Sequence, residues 1–357
     1  MILKTLPIKL DYVSAVISEN IVAVVDYCKD IASPRKLKRI IAGTGFESLS
    51  IADVDVYTSD MCFQAAGQVF ENPRGGGINR DDIGALLFIS QTADYPLPAT
   101  AYILQDRLKV PNNLVAFDVN LGCSGFVYGL YLASSILNNL GDKKVMICCG
   151  DVQPRNKKPK ETGVGALLGD AGACIIISKS CNSDPTIFNI NSYGEHWSSL
   201  IKLKSDSRYS KKFPKDILAV EKENREDFIF MDGMVITDFT INEVPANIEE
   251  LLLAANLSKD DIGTYLFHQP QKLLIDSLTE RLAINPESVI FNSQHIGNTS
   301  SASIPLLLTE MGEEWNTRAN KKVLMSGFGV GLSVASVIID LDSTICLETR
   351  KYERYKI

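Results

Sequence analysis

The chain repeats itself. Asp81-Asp82-Ile83-Gly84, preceded by Arg80 and followed by Leu87-Phe88, returns 179 residues later (260 − 81) as Asp260-Asp261-Ile262-Gly263, preceded by Lys259 and followed by Leu266-Phe267. Lys143-Lys144-Val145-Met146 returns 178 residues later (321 − 143) as Lys321-Lys322-Val323-Leu324. Matches in the same order at nearly one offset point to an internal duplication. A period of this size is domain-like rather than solenoid-like, so the 357 residues are expected to fold as two similar halves.

Each half alternates strand and helix signals. Leu86–Ile89 and Val145–Cys149 are short continuous apolar runs, the pattern of strands buried on both faces. Phe126 to Asn139 carries a helical apolar stripe, and Asn247–Ala255 and Leu273–Leu282 also read as helices. The expected class is α/β. The polar, turn-rich stretch Ser178–Pro185 sets the boundary, giving an N-terminal half of residues 1–182 and a C-terminal half of 183–357. The charged stretch Lys202–Asp227 reads as a solvated surface excursion or a lid.

Composition narrows the function classes. The formal charge is −7, with no long Lys/Arg stripe, which argues against nucleic-acid binding. No apolar run reaches the roughly 18–20 residues of a spanning helix, and the N-terminus lacks a signal-peptide pattern, so the sequence reads as soluble and cytoplasmic. Eight cysteines show neither a CxxC pair nor metal-ligand spacing, and no metal is expected. Most suit small core positions.

Three turns stand out. Val119-Asn120-Leu121-Gly122-Cys123-Ser124-Gly125-Phe126 reads as strand, tight turn and helix start, with glycines flanking Cys123. Helix-end N–H groups there favour a thiolate and can receive an oxyanion; a buried structural cysteine fits the same turn. His268, one of three histidines, ends the apolar run Tyr265-Leu266-Phe267, at a strand C-terminus where α/β proteins place their sites. A hydrogen-bonded structural histidine is the alternative. Asn298 follows Gly297 at a capping position before a small-residue helix, and a plain N-cap would explain it equally. Cys123 and Asn298 lie 175 residues apart (298 − 123), close to the repeat offset. They occupy roughly equivalent turns, which a pseudo-two-fold axis would bring together with His268 in one cleft.

At these residues the sequence resembles the β-ketoacyl-acyl-carrier-protein synthase III family of thiolase-fold condensing enzymes. The Cys123 turn is similar to its nucleophile motif and Phe267-His268-Gln269-Pro270-Gln271 to its His-Gln-Ala-Asn segment. Gly297-Asn298-Thr299-Ser300-Ser301-Ala302-Ser303-Ile304-Pro305 is the most specific match. Leu168–Ala173 and Gly327–Ser333 resemble two further glycine segments, and the five occur in order along nearly the whole chain. The resemblance implies a thiolase-like fold of two pseudo-symmetric halves, with helices layered around mixed sheets. It implies a ping-pong reaction: Cys123 takes an acyl group from a thioester, and a malonyl thioester on an acyl carrier protein then loses CO2 and attacks it. His268 and Asn298 would donate hydrogen bonds to the forming enolate, and the N–H groups of Cys123 and Val330 would form an oxyanion hole. It further implies a homodimer and no cofactor beyond thioesters of coenzyme A or carrier protein. Asn at 298, a donor, favours decarboxylation. An acyltransferase on the same fold, passing the acyl group to a hydroxyl or amine, and a non-catalytic partner subunit are the competing classes.

The sequence also departs from the family pattern. Arg39 stands near the family's tryptophan, and Glu161-Thr162 near its arginine, the pair that sandwiches the adenine of coenzyme A. Their replacement favours a carrier-bound starter. Gln271 replaces an asparagine that supports the histidine. Leu97 falls near a residue that limits the acyl pocket, and Lys272 and Arg281, flanking the His268 helix, are candidates for docking an acidic carrier.

Overall fold

Both copies of the Asp-Asp-Ile-Gly signature do the same structural work. Asp82 closes a capping box on Asn79, and Asp261 closes one on Ser258, each fixing a single 3-10 turn that launches a buried strand. The strands are Ile83–Ile89 and Thr264–Phe267. Each runs parallel to the strand opened by the second repeated motif, Lys144–Asp151 and Lys322–Gly329 respectively. The glycine of each copy is required by its neighbour: a Cβ on Gly84 would lie 2.7 Å from Cβ of Lys143, and one on Gly263 would lie 2.3 Å from the Asn320 carbonyl oxygen.

The computed structural model describes residues 1–72, 74, 77–153, 167–181, 184–203, 228–317, 320 and 322–354. Lys202 and Leu203 end the strand Leu200–Leu203, while the rest of the expected excursion, 204–227, lies outside the described residues, as do Glu161 and Thr162.

Two mixed sheets carry the duplication. In the first, the path runs Ile345–Cys346, Ile8–Ile17, Ala171–Lys179, Lys144–Asp151, Ile83–Ile89 and Val115–Val119, with Arg350–Lys351 also on Ile8–Ile17. In the second it runs Ile2–Thr5, Thr186–Ser192, Ser333–Asp340, Lys322–Gly329 and Thr264–Phe267. Each sheet thus places a parallel pair beside two antiparallel strands in the same order. The counterpart of the edge strand Val115–Val119 is reduced to one bridge between Tyr265 and Val289. The chain ends cross over: Ile2–Thr5 pairs in the second sheet, and Ile345–Cys346 and Arg350–Lys351 pair in the first.

The helices Gly125–Leu137 and Ser303–Met311 lie between the sheets. Their side chains Phe126, Leu130, Leu137, Ile304, Leu307 and Leu308 share one core with Leu87, Ile147 and Ile175 of the first sheet and Leu266, Met325 and Val337 of the second. A helix as apolar as Gly-Phe-Val-Tyr-Gly-Leu-Tyr-Leu-Ala suits a site buried on all sides. Further helices cover the outer faces: Thr58–Glu71 and Thr100–Leu108 on the first sheet, Gly233–Ala255 and Lys272–Leu282 on the second. The two central helices start at the junction of the halves, which puts their N-terminal turns at one place.

Candidate active site

Cys123 sits between the strand Val115–Val119 and the helix Gly125–Leu137, in a turn closed by the Gly125 N–H on the Gly122 carbonyl at 2.7 Å. The turn is wedged from three directions. A Cβ on Gly122 would lie 2.1 Å from Oε1 of Gln91 and 2.9 Å from Oγ of Ser300; one on Gly125 would lie 2.7 Å from Ile89. From the other half, the end of the strand Lys322–Gly329 presses on it. A Cβ on Gly327 would lie 2.9 Å from the Cys123 carbonyl oxygen, and the Ser124 and Ser333 hydroxyls are 2.8 Å apart. Close backbone approach of this kind is what the glycine-rich sequence of both segments permits.

The N–H groups of Val330 and of Cys123 itself point at the sulfur and pull its pKa down, as does the Ser300 hydroxyl. Burial outweighs them. With the buried carboxylate of Asp151 acting in the same sense, it pushes the thiol up to about 12. The free protein therefore holds Cys123 as a thiol at neutral pH. The thiolate expected from the helix end is overruled by desolvation in the resting state, and the two N–H groups remain available to an oxyanion.

His268 follows the strand Thr264–Phe267, anchored by its N–H on the Ser326 carbonyl at 2.9 Å, and is buried. Its Nδ1 is 2.9 Å from Oγ of Ser303, the Ser300 backbone faces the ring, and Phe328 meets it edge-on with centroids 5.7 Å apart. Burial drives its pKa down to about 3, so the imidazole is neutral at physiological pH. Gln269 fixes the turn: its Nε2 donates to the carbonyls of Phe267 at 3.0 Å and Ile290 at 3.2 Å, and its Oε1 accepts from the Asn292 N–H. Gln271 instead supplies the N-cap residue of the helix Lys272–Leu282, so direct support of the histidine falls to Gln269, Ser300 and Ser303.

Asn298 is buried after Gly297, which adopts φ +77° and where a Cβ would lie 2.6 Å from Leu49. Its backbone bridges to the first half: the Gly169 N–H donates to its carbonyl at 2.8 Å, and its own N–H donates to the Leu167 carbonyl. Oδ1 accepts from the Ser300 N–H at 2.9 Å. That bond assigns the amide orientation and leaves the NH2 group as the free end of the carboxamide.

Ser300 ties the three together. Its hydroxyl faces the Cys123 sulfur, its N–H donates to the Asn298 oxygen and its backbone faces the His268 ring. Residues 123, 268 and 298 therefore converge around one residue, which is hydrogen-bonded to Asn298 and faces the other two. The sequence placed Ser300 inside the asparagine motif without a role. Its φ of +53°, uncommon for a side-chain-bearing residue, is visible only in the fold. Asp151 and Gln91 carried no sequence signal.

Other expected residues lie elsewhere. Leu97 is 81 % exposed. Lys272 is ion-paired with Asp276 at 2.6 Å, and Arg281 is exposed on the same helix. Arg39 is exposed on the helix Pro34–Thr44. Among the described residues, no group of three or more His, Cys, Asp or Glu side chains could hold a metal ion, and no helix is long and apolar enough to cross a membrane.

A half-buried cysteine under two convergent N–H groups, gathered around Ser300 with a neutral imidazole and a carboxamide at the junction of two duplicated α/β halves, defines a thiolase-fold acyl-condensing type of site. The family profile described as 3-oxoacyl-[acyl-carrier-protein (ACP)] synthase III matches residues 117–194, which include Cys123, and that of its C-terminal part matches 252–341, which include His268 and Asn298. The chain is 32 % identical over 298 residues to a β-ketoacyl-[acyl-carrier-protein] synthase III of Clostridium tetani, covering 83 % of this chain and 87 % of that one. It is 29 % identical over 318 residues to a putative 3-oxoacyl-[acyl-carrier-protein] synthase 3 of Campylobacter jejuni, covering 88 % and 87 %. The crystal structure of a 3-oxoacyl-(acyl-carrier protein) synthase from Burkholderia xenovorans superimposes with a TM-score of 0.87 at 30 % identity, over 98 % of this chain and 99 % of that one. The chain belongs to the β-ketoacyl-[acyl-carrier-protein] synthase III family.

Proposed function

We propose that the protein is a decarboxylating condensing enzyme in which Cys123 carries the acyl group and His268 and Asn298 stabilise the enolate. The observation that carries this reading is the orientation of Asn298: with Oδ1 turned to the Ser300 N–H, the carboxamide presents its NH2 donor to a ligand. The neutral, buried His268 acts in the same sense in the tautomer whose Nδ1 accepts from the Ser303 hydroxyl, which leaves Nε2–H as the donor. When a malonyl thioester loses CO2, the electrons of the broken C–C bond pass to its carbonyl oxygen. Two fixed donors in a desolvated pocket stabilise that charge, and removing one such donor costs about 10²–10³-fold in rate. The enolate carbon then attacks the acyl-cysteine, whose carbonyl oxygen is received by the N–H groups of Cys123 and Val330. The β-ketoacyl thioester departs and the thiol is regenerated.

The substrates on this reading are an acyl thioester and a malonyl thioester on acyl carrier protein. Lys272 and Arg281 are candidates for meeting the acidic carrier. The ion pair with Asp276 weakens the case for Lys272, while the exposed cations Arg35, Lys36, Lys38 and Arg39 of the neighbouring helix strengthen that face. A homodimer is part of the proposal. Among the described residues the strand Val115–Val119 leaves one edge unpaired, and it is largely apolar, as a strand that continues a sheet into a second copy would be. Leu97, exposed on its own chain, would reach an acyl pocket only from such a partner. Residues 1–182 and 183–357 are taken as the two copies of the duplicated unit, with their ends exchanged.

Incubation with acyl thioesters followed by intact-mass measurement tests the first step. A mass gain lost in Cys123→Ala supports it, and no gain, or one that survives the substitution, sinks it. Malonyl-carrier protein added to the acylated enzyme should then release CO2, with release dependent on Asn298.

A further inference from the structure

Gly122, the residue before Cys123, is gripped from both halves of the fold. A Cβ at that position would lie 2.1 Å from Oε1 and 2.7 Å from Cδ of Gln91 on one side, and 2.9 Å from Oγ of Ser300 on the other. The carboxamide of Gln91 therefore rests on the bare face of the glycine, in space that a methyl group would need. Cys123 itself is pressed from the second half, where a Cβ on Gly329 would lie 3.0 Å from its sulfur. Gln91 is exposed on its own chain, and a long exposed side chain keeps a fixed place only where something holds it.

A buried carboxylate holds the backbone of Gln91. Asp151 ends the strand Lys144–Asp151 with 1 % of its surface exposed. Its Oδ1 accepts from the Gln91 N–H at 2.8 Å and from the Ser90 and Thr92 hydroxyls at 3.0 Å each. These three bonds reach one oxygen from one segment, and Oδ2 has no hydrogen-bond partner among the described residues. The segment is tied at both ends. The Thr92 hydroxyl accepts from the Val152 N–H at 3.1 Å and lies 2.9 Å from the Thr58 hydroxyl. The Ser90 N–H donates to the Val119 carbonyl at 3.2 Å, at the end of the strand that leads into the nucleophile turn. One residue earlier, the Ile89 carbonyl accepts from the Ser301 hydroxyl at 3.3 Å, and the Ile89 side chain lies under Gly125. Residues 89–92 thus touch the turn on both sides of Cys123 and also the motif that carries Asn298. Buried polar networks of this kind rigidify what they bind.

We propose that Gln91, held by Asp151, is a positioning residue for Cys123: its carboxamide blocks movement of the turn at Gly122 and so keeps the sulfur seated against Gly329. This role rests on the reading of Cys123 as nucleophile. Neither Gln91 nor Asp151 needs to touch substrate to fulfil it. Without the carboxamide, Gly122 gains room towards residue 91, and a glycine has the backbone freedom to take it. The sulfur, one residue on, moves with it.

The experiment is the rate of Cys123 acylation by hexanoyl-N-acetylcysteamine, a small thioester, read by intact mass on the full-length protein, Gln91→Ala, Gln91→Met, Asp151→Ala and Asp151→Asn. In Gln91→Ala the limiting rate should fall about 10-fold, within the roughly 10²-fold that a 1 Å misplacement costs. The half-saturating thioester concentration and the unfolding midpoint should stay those of the parent. Methionine fills the same space without a carboxamide, so Gln91→Met should recover most of the rate. Asp151→Asn keeps an oxygen for the same three donors and should retain more of the rate than Asp151→Ala. A parental limiting rate in Gln91→Ala overturns the role. So does a loss confined to half-saturation, or a Gln91→Met as slow as Gln91→Ala, since the carboxamide would then act by binding the donor. Equal rates in the two Asp151 variants overturn the part given to Asp151, and if Asp151→Ala does not fold, an Asp151→Asn no faster than Gln91→Ala does the same. Alkylation of Cys123 by iodoacetamide at pH 8 uses no acyl donor. It should slow in Gln91→Ala, because a displaced sulfur leaves the N–H groups that pull its pKa down, and recover in Gln91→Met. That order decides the positioning role even if the parent protein takes no acyl group, and an unchanged alkylation rate in Gln91→Ala overturns it even if acylation of the parent succeeds.

Discussion

Gly329 stands directly behind Cys123: a Cβ on Gly329 would lie 2.7 Å from Cβ and 3.0 Å from Sγ of the cysteine. The glycine ends the strand Lys322–Gly329 of the second half, at φ +151°, and the cysteine belongs to the first. The floor of the site is thus made by one half pressing on the other. Gly329→Ala should cost about 1–3 kcal/mol, from forced φ and overpacking. Because it displaces the sulfur, it should also lower Cys123 acylation at saturating donor. Chemical denaturation and intact-mass labelling would measure the two effects, and a variant of parental stability and labelling would refute the assignment.

Replacing the donor at 298 separates the two half-reactions. In Asn298→Asp, a carboxylate would face the developing enolate oxygen, so malonyl decarboxylation should fall by at least about 10²-fold. Acylation of Cys123, which needs no donor at that position, should persist. Radiolabelled CO2 release beside mass labelling gives both numbers. Loss of both steps together would show that Asn298 serves only to hold the turn.

His268 links the site to acid stability. Its pKa is near 6.5 in the unfolded chain and about 3 in the fold. Between those values the unfolded state binds a proton that the folded state refuses, so stability falls as pH drops from about 6.5 towards 3. The slope from this one group is at most about 1.4 kcal/mol per pH unit. Urea unfolding at pH 7 and pH 5 should show a smaller loss for His268→Gln than for the parent chain. Equal losses would mean that the imidazole is protonated in the folded state.

The free outer edge of the strand Val115–Val119, unpaired among the described residues, predicts an assembly. Val115 is 45 % exposed, so Val115→Lys should leave the single chain folded while a charge at the free edge weakens pairing with a second copy. Sedimentation should show a dimer for the parent chain and dissociation at low concentration for the variant. A parent chain that sediments as a monomer would end the proposal, and with it the route by which Leu97 reaches an acyl pocket.

The duplication was legible in the sequence because it is written in local chemistry. The capping boxes of Asp82 and Asp261 and the apolar runs after them act within a few residues, and each copy builds the same 3-10 turn and strand. The turns of Cys123, His268 and Asn298 were legible for the same reason, since glycine spacing and strand ends report local geometry. Other features depended on contacts between residues far apart in the chain. The convergence on Ser300, the buried Asp151 beside the thiol and the exposure of Leu97 leave no trace in their neighbouring residues. The clearest case is ionisation: the helix end argued for a thiolate, yet the tertiary structure holds a thiol at about 12 and an imidazole at about 3. Sequence determined which groups stand at the ends of which elements. Only the packing of one half on the other decided how much water those groups lose, and that desolvation sets their charge.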